Sequence, residues 1–429
     1  MTTKIPVLGE RIAPTIAPKP RFLDRVAKRA LMNRLQHLQH GEVILNEDGQ
    51  HFRYGQRTSR CPLSVTITIS DPRFYSDIAF GGSIGAGEAY MAGHWRASDL
   101  TALIRIFLCN RNVLDGMEGG LARVFSPLQK LLHRLNQNTV EGSQKNIAAH
   151  YDLGNDFFAL FLDETLMYSN AIFLHPEMTL HEAQLTRLEH ICKKLDLKAT
   201  DHVLEIGTGW GGFAIYATTH YGCRITTTTI SRAQYTLACE RIASSGLTDR
   251  ITVLLRDYRD LTGRYDKLVS LEMIEAVGHE YYEAYFGKCS ELLKTEGMML
   301  LQAITIADQQ YEAAKRSVDF IQRHIFPGSC IPSIAAMTNA IARATDMRLF
   351  HLEDIGPHYV TTLRAWRDNL FKNQTQIREL GYTEEMIRMW EFYLCYCEGG
   401  FAERAIGNVH MVLTKPFNRR LSLLSQCAA

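Results

Sequence analysis

The sequence predicts an α/β fold in which a mostly parallel sheet carries helices on both faces. Beyond residue 200, short apolar or β-branched runs (HVLEI, RITTTTI, ITVLLRD, YDKLVSLE, MMLLQAI) alternate with helical segments such as SRAQYTLACERIASSG, the pattern of a parallel sheet with crossover helices. The stretch HVLEIGTGWGG, residues 202 to 212, sets an apolar strand directly before a glycine-rich loop and the helix GGFAIYATTHYG. A chain of 429 residues also exceeds one minimal core, which predicts a main domain with a smaller one appended.

Residues 1–20 hold four prolines and no periodicity, so they read as a flexible arm. Residues 21–135 read as an N-terminal accessory domain for lipid interaction. It opens with RFLDRVAKRALMNRLQHL, where Leu23, Val26, Ala27, Ala30, Leu31, Leu35 and Leu38 share one helical face. Arg21, Arg25, Lys28, Arg29 and Arg34 supply positive charge elsewhere on that helix. Such a helix suits an anionic lipid surface, or equally packs its stripe on its own domain. LSVTITISD at 63–71 alternates as a half-buried strand, and AFGGSIGAGEAYMAGHW at 79–95 reads as a glycine-rich turn with a helix start. It lacks the Lys-Ser/Thr ending of a phosphate-binding P-loop, so its glycines read as structural. The polar stretch 136–146 is the expected linker, and 147–429 the catalytic domain. Helical stretches at about 308–345 and 361–404 interrupt the later strands and predict a cap.

Bulk numbers narrow the function classes. Hydrophobic residues make up 46% and charged residues 22%, with net charge +1, which gives no global case for nucleic acid. The ten cysteines form no C-x-x-C pair and read as reduced thiols. The opening MTTKIPVLGERIAPTIAPKP lacks a signal-peptide apolar core, and no run reaches the ~18 apolar residues of a membrane span. A cytoplasmic protein with peripheral membrane contact is the expectation. His175, His181 and His190 are too irregularly spaced for a metal site.

Gly207, Gly209 and Gly212 satisfy G-x-G-x-x-G, and the next strand decides what the loop binds. A nicotinamide site wants an acid about 20 residues on, yet CRITTTTIS at 223–231 has none. The acid instead ends the first strand, at Glu205, as S-adenosylmethionine (SAM) sites commonly have it. An ordinary tight turn is the alternative. Glu205, Asp257 and Glu272/Glu275 all follow strands, which lines several carboxylates along one crevice at the strands' carboxyl ends.

From about Asn146 onward the chain resembles the cyclopropane-fatty-acyl-phospholipid synthases and related mycolic acid methyltransferases. The likeness rests on HYDLGNDFFALFLDETLMYS (150–169), LEIGTGWGG (204–212), TTISRAQ (228–234), DYRDL (257–261), VSLEMIEAVGHEYYEAYF (269–286), IFPGSCIPS (325–333) and HYVTTLRAW (358–366). The resemblance implies a class I SAM-dependent methyltransferase, Rossmann-like, with a mostly parallel seven-stranded sheet, helical cap insertions and a smaller N-terminal α+β domain. It implies a reaction between SAM and the double bond of an unsaturated phospholipid acyl chain. In such enzymes the alkene attacks the sulfonium methyl, bicarbonate removes a proton, and a cyclopropane closes. A homodimer is in keeping with the family.

Carried over by motif, Tyr168, Ser169, Glu205, Gly207, Gly209, Thr229, Gln234, Asp257 and Tyr258 are the expected SAM contacts. Asn170, Glu275, Gln302, Tyr359 and the backbone of Ile304 are the expected bicarbonate pocket, and Tyr151 a cation stabiliser. Two positions depart from the family: Asn170 replaces the cysteine of Y-S-C-A, and Gln302 the histidine of L-H-T-I. Both keep donors and acceptors but lose a titratable group. Retention of Glu275 and Tyr359 points to ring formation. A methylene or methyl-branched product, a small-molecule N-methyltransferase and a non-catalytic lipid binder are the competing readings.

Overall fold

A computed structural model describes residues 20–113, 154–421 and 423. The arm up to residue 19, the 136–146 linker and Tyr151 lie outside the described residues.

Two sheets organise the chain. The smaller contains β1 (Gly41–Glu47), β2 (Gln50–Gln56), β3 (Ser64–Ile69) and β4 (Trp95–Ala97), in the order β2-β1-β3-β4. β1 and β2 form an antiparallel hairpin across Asp48-Gly49, both at positive φ, the dipeptide that such tight hairpins favour. The larger sheet contains β5 (His202–Ile206), β6 (Arg224–Thr229), β7 (Ile251–Leu255), β8 (Tyr265–Leu271), β9 (Leu293–Ile306), β10 (Arg348–Asp354) and β11 (Ile406–Thr414), ordered β10-β11-β9-β8-β5-β6-β7. β11 runs antiparallel to both β9 and β10, and the remaining pairs are parallel. This is the expected seven-stranded, mostly parallel sheet. The five apolar runs read from the sequence became β5 to β9. β10 and β11 carry weaker patterns, and β11 is buried along most of its length, which erases the alternation that marks a strand.

The glycine-rich segment after β3 is not a turn but one helix, Arg73–Met91, kinked at Gly82 with φ 59°. Its glycines admit neighbours: a Cβ on Gly87 would stand 2.4 Å from the Phe320 ring. The first helix, Phe22–Leu35, divides its predicted stripe. Ala27, Leu31 and Leu35, with Leu38 beyond the helix, are buried, whereas Phe22, Leu23 and Val26 are 70%, 53% and 48% exposed.

The cap consists of Asp308–Ala314, Phe320–His324 and Ile334–Ala344 before β10, and Gly356–Lys372, Gln374–Glu379 and Glu384–Ala402 between β10 and β11. It shares one apolar core with the N-terminal layer, in which Leu31, Phe74, Leu103, Phe158, Trp366 and Trp390 are all buried. A polar clamp ties the two together. Buried Glu398 accepts hydrogen bonds from Thr101 Oγ1 at 3.0 Å and Arg367 Nη1 at 2.6 Å, and pairs with Arg364 at 3.0 Å. Glu398→Ala leaves Arg367 facing an apolar seam with its partner removed, so urea unfolding should register a loss on the order of 3 kcal/mol. A change within experimental error would deny the clamp that role.

Candidate active site

The glycine loop follows from β5. Gly207 and Gly209 stand at φ 100° and 52°, and a Cβ on Gly209 would meet no heavy atom within 4 Å. The backbone there lies open to a ligand, as a SAM site requires. Gly212 serves packing instead. A Cβ there would stand 2.5 Å from Met167 Sδ and 2.6 Å from Thr165 O, so its bareness lets the 163–170 segment close on the loop. Beneath the loop, buried Glu205 accepts a 2.6 Å hydrogen bond from Thr227 Oγ1. Burial lifts its pKa to about 8.

The other expected cofactor residues lie at neighbouring strand ends. After β6, Thr229 Oγ1 donates to Gln234 Oε1 at 2.9 Å, while Ser231 caps the helix Arg232–Ser244. After β7, Asp257 receives Arg259 N at 2.9 Å, Nε at 2.8 Å and Nη2 at 2.7 Å. Burial acts to raise the Asp257 pKa, but the guanidinium prevails and holds it below the usual carboxylate range. Tyr258 packs edge-on against Tyr285, with centroids 5.4 Å apart. Tyr168 joins an aromatic cluster: its hydroxyl lies 2.9 Å from that of Tyr393, and its ring 5.2 Å from Trp366 and 5.4 Å from Phe158. Ser169 is buried beside it.

The expected bicarbonate residues converge on a carboxylate of the chain itself. Glu272, just beyond β8, accepts at Oε1 from Gln302 Nε2 (2.7 Å), Asn408 Nδ2 (2.6 Å) and Asn170 N (3.2 Å). At Oε2 it accepts from Tyr359 Oη at 2.6 Å. The Asn170 side chain turns away, donating to Ile355 O at 2.8 Å, so only its backbone reaches the site. Glu275 forms a separate contact, accepting Ile304 N at 2.5 Å. Its Oε2 has no hydrogen-bond partner among the described residues. Burial and the adjoining Glu272 charge push the Glu275 pKa to about 8. The donors expected to cradle a free bicarbonate are therefore spent, on Glu272 and Glu275, and a second anion there would meet the Glu272 charge. The residues present do not fit bicarbonate.

Behind the carboxylate stands a buried relay that the sequence did not single out. Gln302 Oε1 accepts from Arg187 Nη1 at 3.1 Å and lies 3.0 Å from His410 Nε2. Lys194 Nζ is 2.9 Å from His410 Nδ1. An ammonium can only donate, so Nδ1 accepts and Nε2 carries the hydrogen. Both acceptor lone pairs of the Gln302 carbonyl are thereby filled, and its amide must aim N–H at Glu272. Burial pulls the Arg187 pKa down to about 10, leaving it cationic at neutral pH. Arg187 and His410 arrive from distant segments, Leu180–Leu195 and Ile406–Thr414, in which no motif was read. Glu272 was legible as a strand-end acid, but its partners were not.

Glu205 supplies a test in the ligand-free protein. Its folded pKa lies above its unfolded value, so the unfolded chain binds fewer protons and stability falls as pH rises from the ordinary carboxylate range to about 8. Against Glu205→Gln, the wild type should lose about 2 kcal/mol between about pH 6 and about pH 8 in urea unfolding. A pH-independent difference would show that the carboxyl is already ionised.

Comparison with known proteins shows the family. The family model described as mycolic acid cyclopropane synthetase matches residues 138–411. The tuberculostearic acid methyltransferase UfaA1 of Mycobacterium tuberculosis is 37% identical over 398 residues, covering 90% of this chain and 92% of that one. The cyclopropane-fatty-acyl-phospholipid synthase of Escherichia coli is 33% identical over 374 residues, covering 85% and 93%. The solved structure of mycolic acid cyclopropane synthase CmaA1 complexed with SAH and CTAB superposes with a TM-score of 0.59 at 32% identity, covering 63% of this chain and 98% of that one. With the open glycine loop at the end of β5 and this likeness over most of its length, the chain belongs to the mycolic acid cyclopropane synthetase family and is a SAM-dependent methyltransferase of the cyclopropane synthase type.

Proposed function

We propose that the enzyme transfers a one-carbon unit from SAM to the double bond of an unsaturated phospholipid acyl chain. The observation that carries this reading is the junction of a held carboxylate with an aromatic cluster. Tyr359 donates to Glu272 while its ring lies against Phe401 at 4.5 Å and Trp366 at 5.9 Å, and Trp366 adjoins Tyr168. An apolar chain fits such surroundings, and aromatic faces stabilise a passing cation by about 1–2 kcal/mol each.

When bound, SAM supplies an electrophilic methyl on a sulfonium. The chain's residues do the rest. Gly207 and Gly209 would give the cofactor backbone access, and Glu205 would set a carboxyl beside its methionine end. Thr229, Gln234, Asp257 and Tyr258 would hold the ribose and adenine, and Tyr168 and Ser169 the methionine side. The aromatic cluster excludes water from the reacting carbon.

The product depends on whether a hydride shift precedes proton loss. Loss from the added methyl toward the first cation closes the ring. If a hydride first moves the cation to the carbon bearing the new methyl, loss from that methyl gives a methylene chain, a second reading favoured by the likeness to a tuberculostearic acid methyltransferase. Both products add one CH2 and are isomers, so proton NMR of the acyl methyl esters separates ring from vinylidene signals. Neither product from any unsaturated phospholipid would end the proposal.

The lipid surface is met by the first helix, where exposed Phe22, Leu23 and Val26 lie beside exposed Arg25 and Arg29. Apolar side chains flanked by arginines match an anionic bilayer. Replacing the three apolar residues with serine should cut binding to phosphatidylglycerol vesicles about tenfold or more. Equal sedimentation of variant and wild type would assign membrane contact to another surface.

A further inference from the structure

We infer that the Glu272 carboxylate is the enzyme's own general base, standing where the family resemblance implies a free bicarbonate. The inference rests on the function proposed above and deepens it by naming the proton acceptor.

Three independent features meet at this residue. The first is convergence. Tyr359, Gln302, Asn408 and the Asn170 backbone come from four separate segments and all donate to one side chain. The second is asymmetry between the two oxygens. Among the described residues, Oε1 takes three donors and is saturated, whereas Oε2 takes only the Tyr359 hydroxyl and keeps a lone pair for a proton. Glu272 as a whole retains accessible surface, as a group that must touch substrate needs to.

The third feature is backbone strain. Glu272 has φ 51°, a conformation that costs a side-chain-bearing residue and would cost glycine nothing. Its amide is nonetheless held by Gln302 O at 2.8 Å, and its carboxylate meets Gln302 on β9 and Asn408 on β11. A structure that tolerates strain to place a carboxylate among four donors is positioning it for use.

Charge distribution agrees with this geometry. Burial raises the Glu272 pKa while Tyr359, Gln302, Asn170 and the Arg187 charge oppose it. Glu275, with fewer donors, is lifted to about 8. Both carboxyls are raised by burial, but the four donors on Glu272 favour its charged form, whereas Glu275 accepts only from Ile304 N among the described residues, an asymmetry that suits divided roles.

The step balances without a further reactant. The substrate double bond gives its π pair to the sulfonium methyl carbon, and the carbon–sulfur bond breaks with its pair kept by sulfur. The neighbouring substrate carbon is left cationic. A substrate C–H bond then gives its proton to Glu272 Oε2 and its electron pair to the new C–C or C=C bond. Glu272 becomes a carboxylic acid and returns its proton to solvent between turnovers. Gln302, Tyr359 and Asn408 act as positioning residues, through Glu272.

Bicarbonate itself is the probe. Wild-type SAH release on unsaturated phosphatidylglycerol vesicles should be the same in CO2-free buffer and with added bicarbonate, and calorimetry should detect no bicarbonate binding. Glu272→Gln should lower kcat by about 100-fold or more with SAM affinity changed less than about threefold. Glu272→Gly relieves the strain and empties the donor set, so it should bind bicarbonate in calorimetry and regain about tenfold or more of its lost rate with added bicarbonate or formate. A wild-type rate that collapses without bicarbonate and recovers on its return would overturn the inference, as would near-normal turnover by Glu272→Gln. Those outcomes leave the lipid reaction intact. A wild type inactive on every unsaturated lipid, with or without bicarbonate, would sink the underlying reading and this inference with it.

Discussion

An anion drawn away from bulk water must be matched by donors, and Glu272 imposes that demand on the catalytic half of the chain. Four hydrogen bonds meet it, from the ends of β9 and β11, the helix that begins at Gly356 and the segment after Tyr168. Each of those elements is thereby fixed relative to β8. The relay behind Gln302 extends the constraint to the helix Leu180–Leu195, which supplies Arg187 and Lys194. Removing any one donor would leave charge unmatched where water screens it poorly. The site and the packing around it are one structure.

The same logic explains why the cofactor loop and the carboxylate are neighbours. β5 and β8 are paired in parallel, so their carboxyl ends emerge side by side. Gly207 turns the chain at φ 100°, with Met273 in ordinary contact distance of where a Cβ would stand. Gly212 leaves room for Thr165 and Met167. The bare Gly212 thus lets the 163–170 segment approach, and the cofactor loop, the base and the aromatic cluster share one rim. This is the general location of ligands in open α/β sheets, reached here through specific steric allowances.

Glu398 plays the corresponding part on the far side of the cap. Held by Arg367, Arg364 and Thr101, it locks the helix Glu384–Ala402 to the N-terminal layer. That layer presents the exposed face of the first helix. The surface proposed to meet lipid is therefore rigidly tied to the cap, which carries Tyr359, Trp366 and Tyr393.

The sequence by itself determined the parallel sheet and the glycine loop, because strand periodicity and turn glycines are local properties written in consecutive residues, and its ordered motifs carried the resemblance that implied SAM chemistry. It also marked Gln302, Tyr359 and Glu275 as site residues and Glu272 as a strand-end acid. Only the tertiary structure decided which carboxylate those residues hold. Asn408, Arg187 and His410 stand more than 100 positions from at least one of the groups they serve, and no spacing rule links them. Asn170 shows the limit most directly: its residue type suggested a side-chain donor, yet its side chain binds Ile355 and only its backbone reaches the site. A residue's identity fixes which hydrogen bonds it is able to make, while the competition among partners brought near by folding decides which of them it does make.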